Sequence, residues 1–323
     1  MVFISPGSNG MNVPDLAGLV FEATAQIPLG MVSTYGDIAR ALGDVASSRV
    51  VGMILSSNPR PIVVPCHRVV YSDGRTGWYG GRGNGAERKR DLLSSEGVEV
   101  LDGKVRNFSA IRFHDFDIEP VLEEMMDEQN ELRERVTLED HLENVDTVVG
   151  LDVSYQGERA YGAAAAYDMD SGELLEERTI TSRVHFPYIP GYLSYREIPA
   201  LYGLLDRSDA VYMVDGQGSL HPRRFGIACH AGVYFGRPTI GVAKSLLCGT
   251  VEGDGDSVPV LMGGEVAGLM LRKDGRKGIY VSTGHMVSLP TCRSICQRMM
   301  RYRIPEPLRR AHALANEARR EEE

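Results

Sequence analysis

Beyond about residue 148 the chain breaks into short apolar runs: VDTVVGLDVSY, GAAAAYDM, DAVYMVDG, PTIGVAKS, VAGLMLR and GIYVSTG. Helical segments alternate with them, and that alternation predicts an α/β unit whose sheet is covered by helices. Two carboxylates interrupt the runs. Asp152 stands in mid-strand in VVGLDVSY, and Asp215 follows AVYMV and precedes Gly-Gln-Gly. A carboxylate in an apolar strand is expensive unless something pairs it, and two on neighbouring strands repel. A divalent cation relieves both problems, and hard oxygen ligands suit Mg²⁺. Taken singly, an Asp at a strand end is more often a helix cap or a turn residue than a metal ligand.

The first hundred residues have another character. VPDLAGLVFEATAQI reads as a helix, and TYGDIARALG and SSRVVGMILSSN read as two short helices at the spacing of a helix-turn-helix. A chain of 323 residues with 43% hydrophobic content can bury two cores. We therefore expect residues 1–108 and 117–323 to form two domains, joined at 109–116. The net charge of −9 is uneven: residues 107–150 hold 3 Lys/Arg against 13 Asp/Glu, while the flanks are near neutral. Each flank can carry a basic groove, so the acidic total does not exclude a nucleic-acid partner. No apolar run approaches a membrane span, and MVFISPGSNGMNVPD lacks the basic start of a signal peptide. A cytoplasmic monomer without membrane association is expected. The five scattered cysteines (66, 229, 248, 292 and 296) fit no disulfide framework. The last two are expected to share one helix face.

In VVPCHRVV, Cys66 lies between a proline and a histidine. It reads either as a small buried hydrophobe or as a thiolate held by the backbone N–H groups after Pro65, with His67 beside it. PCHRVVYSDGRTGWYGG followed by ERKRDLLSSEGVEV, with TYGDIARALG, SSRVVG and SSNPRPIVVPCHRVV upstream, resembles the O6-alkylguanine-DNA alkyltransferase family across nearly all of residues 13–100. The resemblance implies a mainly α, helix-turn-helix, winged-helix-like domain. It implies that Cys66 takes an alkyl group from guanine O6 irreversibly, with His67 as base through a water and Glu96 orienting the imidazole. It further implies that Asn58 fixes the cysteine turn. Tyr35 and Arg49 fall where the family rotates the target nucleotide and fills the gap it leaves, and Tyr79 lies in the loop facing the base. Extrusion is physically required, because O6 within a duplex is out of a buried thiol's reach. The glycine-rich loop 80–85 departs from the family pattern and puts the shape of the alkyl pocket in question.

In the second unit Ser194-Tyr195-Arg196-Glu197 fits a capping box. Pro199 would then delete an intrahelical bond, so the helix is expected to begin at Pro199, which frees Glu197 for a site. Lys244 ends the strand TIGVA, where it can reach a phosphate or lie solvated. His285 follows GIYVS and a Thr-Gly turn as a ligand, a proton shuttle or a surface histidine.

VVGLDVSY, PYIPGYLSYRE, VDGQGSLHPRRFGIACHAGV, GVAKS, YVSTGH and the closing YRIPEPLRRAHALANEAR resemble endonuclease V over residues 117–323. The resemblance implies a ribonuclease H-like fold with a mixed central sheet. It implies a Mg²⁺-dependent nick at the second phosphodiester 3′ to deoxyinosine, with Mn²⁺ able to substitute. Asp152, Glu197 and Asp215 would hold the metal, Lys244 the phosphate, and His285 would assist the water. Pro187, Tyr188, Ile189 and Pro190 match the family's wedge, a ring made rigid by flanking prolines. Gly216, His221, Ile227, Gly241 and Ala243 would line the pocket for the extruded base.

The combined expectation is a DNA repair protein acting on damaged double- or single-stranded DNA through two active sites. Three alternatives stay open at this level. The first unit could be a lesion sensor without transfer, the nuclease could act mainly on inosine-containing RNA, or the chain could be a helix-turn-helix regulator with a degenerate tail.

Overall fold

The computed structural model describes residues 11, 13–79, 85–142 and 144–322. Of the glycine-rich loop 80–85, all but Gly85 lies outside the described residues. The described chain forms two compact units, one of residues 13–126 with 186–190, the other of residues 127–185 and 191–322.

The first unit holds α1 (Leu16–Ala25), α2 (Tyr35–Ala41), α3 (Ser48–Ser56) and α4 (Gly85–Ser95). The expected pair of short helices is α2 and α3, separated by a 3-10 turn at Val45–Ser47. A capping box starts α2: the Asp37 amide donates to Thr34 Oγ1 at 3.0 Å, and the Thr34 amide donates to Asp37 Oδ2 at 3.2 Å. Strand β1 (Ser33–Thr34) pairs in parallel with β2 (Val69–Val70), and β3 (Val100–Leu101) pairs antiparallel with β4 (Lys104–Val105). The units divide at Met126/Asp127, inside helix α5 (Val121–Arg133) and beyond the expected junction. Packing explains this: the Leu122 amide donates to Leu42 O at 2.8 Å, and Leu122 and Met125 are buried. Gly43, at φ +103, has no Cβ to strike the Glu123 backbone.

The second unit is built on one nine-stranded sheet. Its strands are β5 (Thr147–Gln156), β6 (Arg159–Asp168), β7 (Leu174–Arg183), β8 (Ala210–Asp215), β9 (Thr239–Ala243), β10 (Thr250–Val251), β11 (Ser257–Met262), β12 (Glu265–Leu271) and β13 (Ile279–His285). They run in the order β10-β11-β12-β13-β9-β8-β5-β6-β7, with β8 parallel to both β5 and β9 and every other pair antiparallel. The sheet is therefore mixed, as expected. Helices α6 (Leu193–Leu201), α7 (Ile227–Phe235), α8 (Leu289–Met299) and α9 (Glu306–Glu321) complete the unit. Two glycines let helices close on strands: an added Cβ at Gly150 would strike the Pro307 carbonyl in α9, and one at Gly162 the Ala200 carbonyl in α6.

One expectation is overturned. Helix α6 begins at Leu193 and runs through Pro199 rather than starting there. The ring removes only the bond to the Tyr195 carbonyl, and the helix ends two residues later at Leu201, so the proline sits where little helix remains to be broken. The capping box is not used either: Ser194 Oγ lies 2.9 Å from His230 Nδ1. Among the described residues no helix is long and apolar enough to cross a membrane.

Candidate functional site

Cys66 opens a short 3-10 turn (Cys66–Arg68) directly after Pro65. Its thiol is buried, but it lines a cavity of about 700 Å³. Asn58 hydrogen-bonds to both sides of this turn. Its Nδ2 donates to Val64 O at 3.0 Å and to Cys66 Sγ at 3.1 Å, while its Oδ1 accepts from the Arg60 amide at 2.9 Å. His67 is 1% exposed; its Nε2 lies 2.8 Å from Glu96 Oε1, and its Nδ1 is buried without a partner among the described residues. Burial drives the His67 pKa down against the pull of Glu96, so the imidazole is neutral near pH 7. Burial works to raise the Glu96 pKa, but hydrogen bonds from Arg68 and His67 outweigh it and hold the carboxylate charged. Arg68 clamps both Glu96 oxygens at 2.8 Å.

The same cavity takes in Tyr35, Arg49 and Tyr79. Tyr35 is half-buried, and burial with Tyr71 and Cys66 nearby pushes its pKa up to about 12, so the hydroxyl keeps its proton to donate. Arg49 is exposed in the first turn of α3, where a cation can reach a partner outside the chain. Tyr79 is buried edge-on against His67, with ring centroids 6.2 Å apart. Lys89, which the sequence reading did not single out, also lines the cavity. It is buried and donates to Val69 O at 2.6 Å, and burial lowers its pKa to about 8. Its signal was the i, i+4 spacing with Gly85 and Leu93 on the buried face of α4.

In the second unit the register Leu151↔Val214 brings Asp152, in the middle of β5, beside Asp215 at the end of its parallel neighbour β8. Ligand atoms of Asp152, Asp215 and His312 all lie within 4.8 Å of one another. His312 Nδ1 is 2.6 Å from Asp152 Oδ2, and Lys244 Nζ donates to Asp215. Burial, then the Asp215 charge, raises the Asp152 pKa. Glu197 joins them from α6: burial first, then Asp152, pushes its pKa up to about 8, and Tyr155 donates to its Oε1 at 3.2 Å. Asp152 and Asp215 with Glu197 close enough to feel both charges, and an imidazole nitrogen beside them, form a donor set suited to a divalent cation. His312 was not anticipated; it lies on α9 beside the buried stripe of Leu308, Ala311 and Ala315.

His285 is not brought to this cluster. It extends β13, pairs with Thr239 at the opposite end of β9 from Lys244, and its Nδ1 accepts from the Thr137 amide at 3.1 Å. Four residues of strand separate the two ends, about 13 Å. Of the expected base-pocket residues, Gly216 follows Asp215 and Gly241 pairs with Val214, and both glycines serve packing in this conformation. An added Cβ at Gly216 would meet the Ile227 side chain, and one at Gly241 the Gly218 backbone. His221 and Ala243 are buried, and burial with the Arg223 charge takes the His221 pKa down to about 4. Of the wedge, Tyr188 is exposed, Ile189 is buried and Pro190 is exposed.

Two family models match the chain: Endonuclease V over residues 130–313, and the DNA binding domain of 6-O-methylguanine DNA methyltransferase over residues 16–98. A bifunctional methyltransferase/endonuclease of Picrophilus torridus is 34% identical over 92% of this chain and 95% of its own. An Endonuclease V structure from Streptomyces avermitilis is 38% identical with a TM-score of 0.58, covering 62% of this chain and 93% of the other. Endonuclease V of Ciona intestinalis, solved with a 24mer DNA containing an inosine followed by a ribo-adenosine, is 28% identical with a TM-score of 0.56 over 62% of this chain and 98% of that one. The chain thus belongs to the bifunctional methyltransferase/endonuclease family, DNA repair enzymes that carry a methyltransferase of the 6-O-methylguanine type and an Endonuclease V on one polypeptide.

Proposed function

We propose that Cys66 is the alkyl acceptor for O6-alkylguanine in DNA, and that Asp152, Asp215, Glu197 and His312 hold a Mg²⁺ ion for nicking beside deoxyinosine. The observation that carries the first is Cys66 at a cavity wall with Asn58 Nδ2 on its sulfur and a His67–Glu96–Arg68 chain beside it. The open Nδ1 of His67 is the atom available to take the thiol proton, and the charged Glu96 stabilises the imidazolium that forms. Tyr35 and Arg49, on the two helices of a winged-helix-like unit, turn the nucleotide out and fill the gap. Cys66 argues against a lesion sensor without transfer.

For the nuclease, the carrying observation is the convergence of Asp152, Asp215 and His312 within 4.8 Å. A bound divalent cation supplies Lewis-acid stabilisation of phosphate charge and an acidified water. Lys244, which now neutralises Asp215, is placed to exchange that carboxylate for a phosphate oxygen. Tyr188, exposed between Pro187 and the buried Ile189, is the wedge residue, and Gly216, His221, Ile227, Gly241 and Ala243 adjoin the base site. The sheet order, with β8 parallel to β5 and β9, supports a ribonuclease H-like fold. A functional boundary at residues 109–116 fits between the two matched stretches, which end at 98 and begin at 130.

Mass spectrometry of the Cys66 peptide after mixing with duplex DNA bearing one O6-methylguanine tests the first activity, and a gain of one methyl is expected. Nicking of an inosine-containing strand, lost in Asp215→Asn, tests the second. Unmodified Cys66, or an Asp215→Asn variant that still nicks, would overturn the corresponding reading.

A further inference from the structure

The stretch read as the wedge is stiff within and soft at one end. Pro187 and Pro190 fix their own φ, but the residue that follows them, Gly191, stands at φ +86, a region open to glycine and closed to most side chains. A glycine at the root of a rigid segment is a swivel unless its peptide is held. Here it is held. The Gly191 carbonyl accepts from Arg223 Nη2 and from Gln129 Nε2, the latter at 3.2 Å, and Arg223 Nε donates to Gln129 Oε1 at 2.7 Å, so the three residues close a ring.

Each member of the ring is shaped for it. Gln129 is 1% exposed in α5, and a guanidinium on one side with a carbonyl on the other fixes which way its amide points. Arg223 is half-buried, with its guanidinium carbon 4.7 Å from the centroid of the buried Tyr192 ring. Its partners there are an amide oxygen, a carbonyl and an aromatic face, all neutral. Neutral partners offset the desolvation of a cation only when several contacts are made in a fixed geometry, which the planar fork of an arginine supplies and an ammonium does not. Gly191 meets this demand from its own side: a Cβ there would come within 2.6 Å of Arg223 Nη2, so both its φ and the approach of the guanidinium exclude a side chain.

Building on the reading of the second unit as a nuclease that extrudes deoxyinosine, we propose that Arg223 is a positioning residue for the wedge: through Gly191 it holds the root of residues 187–190, so that Tyr188 is presented in one orientation when the base leaves the stack. It acts through Tyr188 and not on the reacting phosphate. The guanidinium therefore matters where a base must be displaced from its pair. A base in a single strand has already lost that pair, and it needs far less help from a wedge.

The test is the single-turnover nicking rate of the full chain, with Mg²⁺, on one inosine-containing sequence presented as a duplex and as a single strand. Arg223→Lys keeps the charge and the backbone amide that donates to His221 Nδ1 at 3.3 Å, and removes only the fork. It should slow duplex nicking about ten-fold and single-strand nicking less than about two-fold. Gln129→Ala, which opens the same ring from the other side, should give the same duplex-selective loss. In a Tyr188→Ala background Arg223→Lys should slow the duplex no further, because the two residues act as one unit. Equal slowing of both substrates would mean a merely structural tie, and an undiminished loss in the Tyr188→Ala background would mean that Arg223 does not act through the wedge. Either result overturns the inference while the nuclease reading stands, as does a duplex rate that neither variant moves. A wild-type chain that nicks neither substrate would overturn the nuclease reading itself, and the inference with it.

Discussion

His230 gives the sharpest test of how the helix carrying Glu197 is held. It lies fully buried in α7, with Nδ1 2.9 Å from Ser194 Oγ, three residues before Glu197 in α6. The rings of Tyr195 and Phe225 pack on it with centroids at 5.1 Å, and burial alone pushes its pKa down to about 3. In the unfolded chain the same imidazole titrates near 6.5. Between those values the unfolded state binds the extra proton, so the stability from neutral His230 is whole above about pH 6.5 and drains away as pH falls toward 3. Integrating from pH 7.5 to 5 gives a loss of about 2 kcal/mol. His230→Gln keeps a hydrogen-bonding group for Ser194 and removes the titration. Urea unfolding of the full chain, read by pulsed labelling of the buried Cys292 and Cys296, should show the wild type losing about 2 kcal/mol more than the variant over that pH range. Parallel losses in the two proteins would mean that His230 is not held neutral by burial and that the tie between α6 and α7 is insensitive to acid.

Three further outcomes are expected. Gly150→Ala forces a methyl into the Pro307 carbonyl, which should cost about 1–3 kcal/mol by thermal unfolding; because α9 also carries His312, nicking should fall even well below the melting temperature. Asn58→Ala removes the donor on the Cys66 sulfur and should slow alkylation of that thiol about ten- to hundred-fold, measured by iodoacetamide labelling across pH. His312→Ala should weaken Mn²⁺ binding at least about ten-fold by electron paramagnetic resonance while the metal-free melting temperature stays close to wild type.

Much of the carboxylate site was legible because strand chemistry is local. The six apolar runs became β5, β6, β8, β9, β12 and β13, and an Asp at the end of such a run has few places to go. Three strands of the sheet, β7, β10 and β11, escaped notice, and for β7 and β11 the reason is physical. LLEERTITSR is the exposed edge strand β7, whose charges guard an unpaired edge rather than mark a loop. SVPVLM, strand β11, carries Pro259, which in a sequence argues against a central strand. His285 failed because its place depends on direction: β13 runs antiparallel to β9, so the histidine ending it is carried away from Lys244. Strand direction is a property of the whole topology, and no local pattern around YVSTGH contains it.

Glycine and histidine mark the deeper limit. Close approach of a base and close approach of a neighbouring backbone both require the Cβ to be missing, so Gly216 and Gly241 were equally compatible with a pocket and with packing. The contacts of Ile227 and Gly218 decide for packing in this conformation. His312 poses the converse problem. On a helix whose buried stripe is Leu308, Ala311 and Ala315, a histidine beside the stripe reads as a solvated flank residue. It becomes a ligand candidate only because Gly150 lets α9 sit tightly on β5, which brings its ring to Asp152. The smallest side chain in β5 thus determines what a histidine more than 150 residues later can do, which is why Gly150→Ala should cost metal affinity as well as stability.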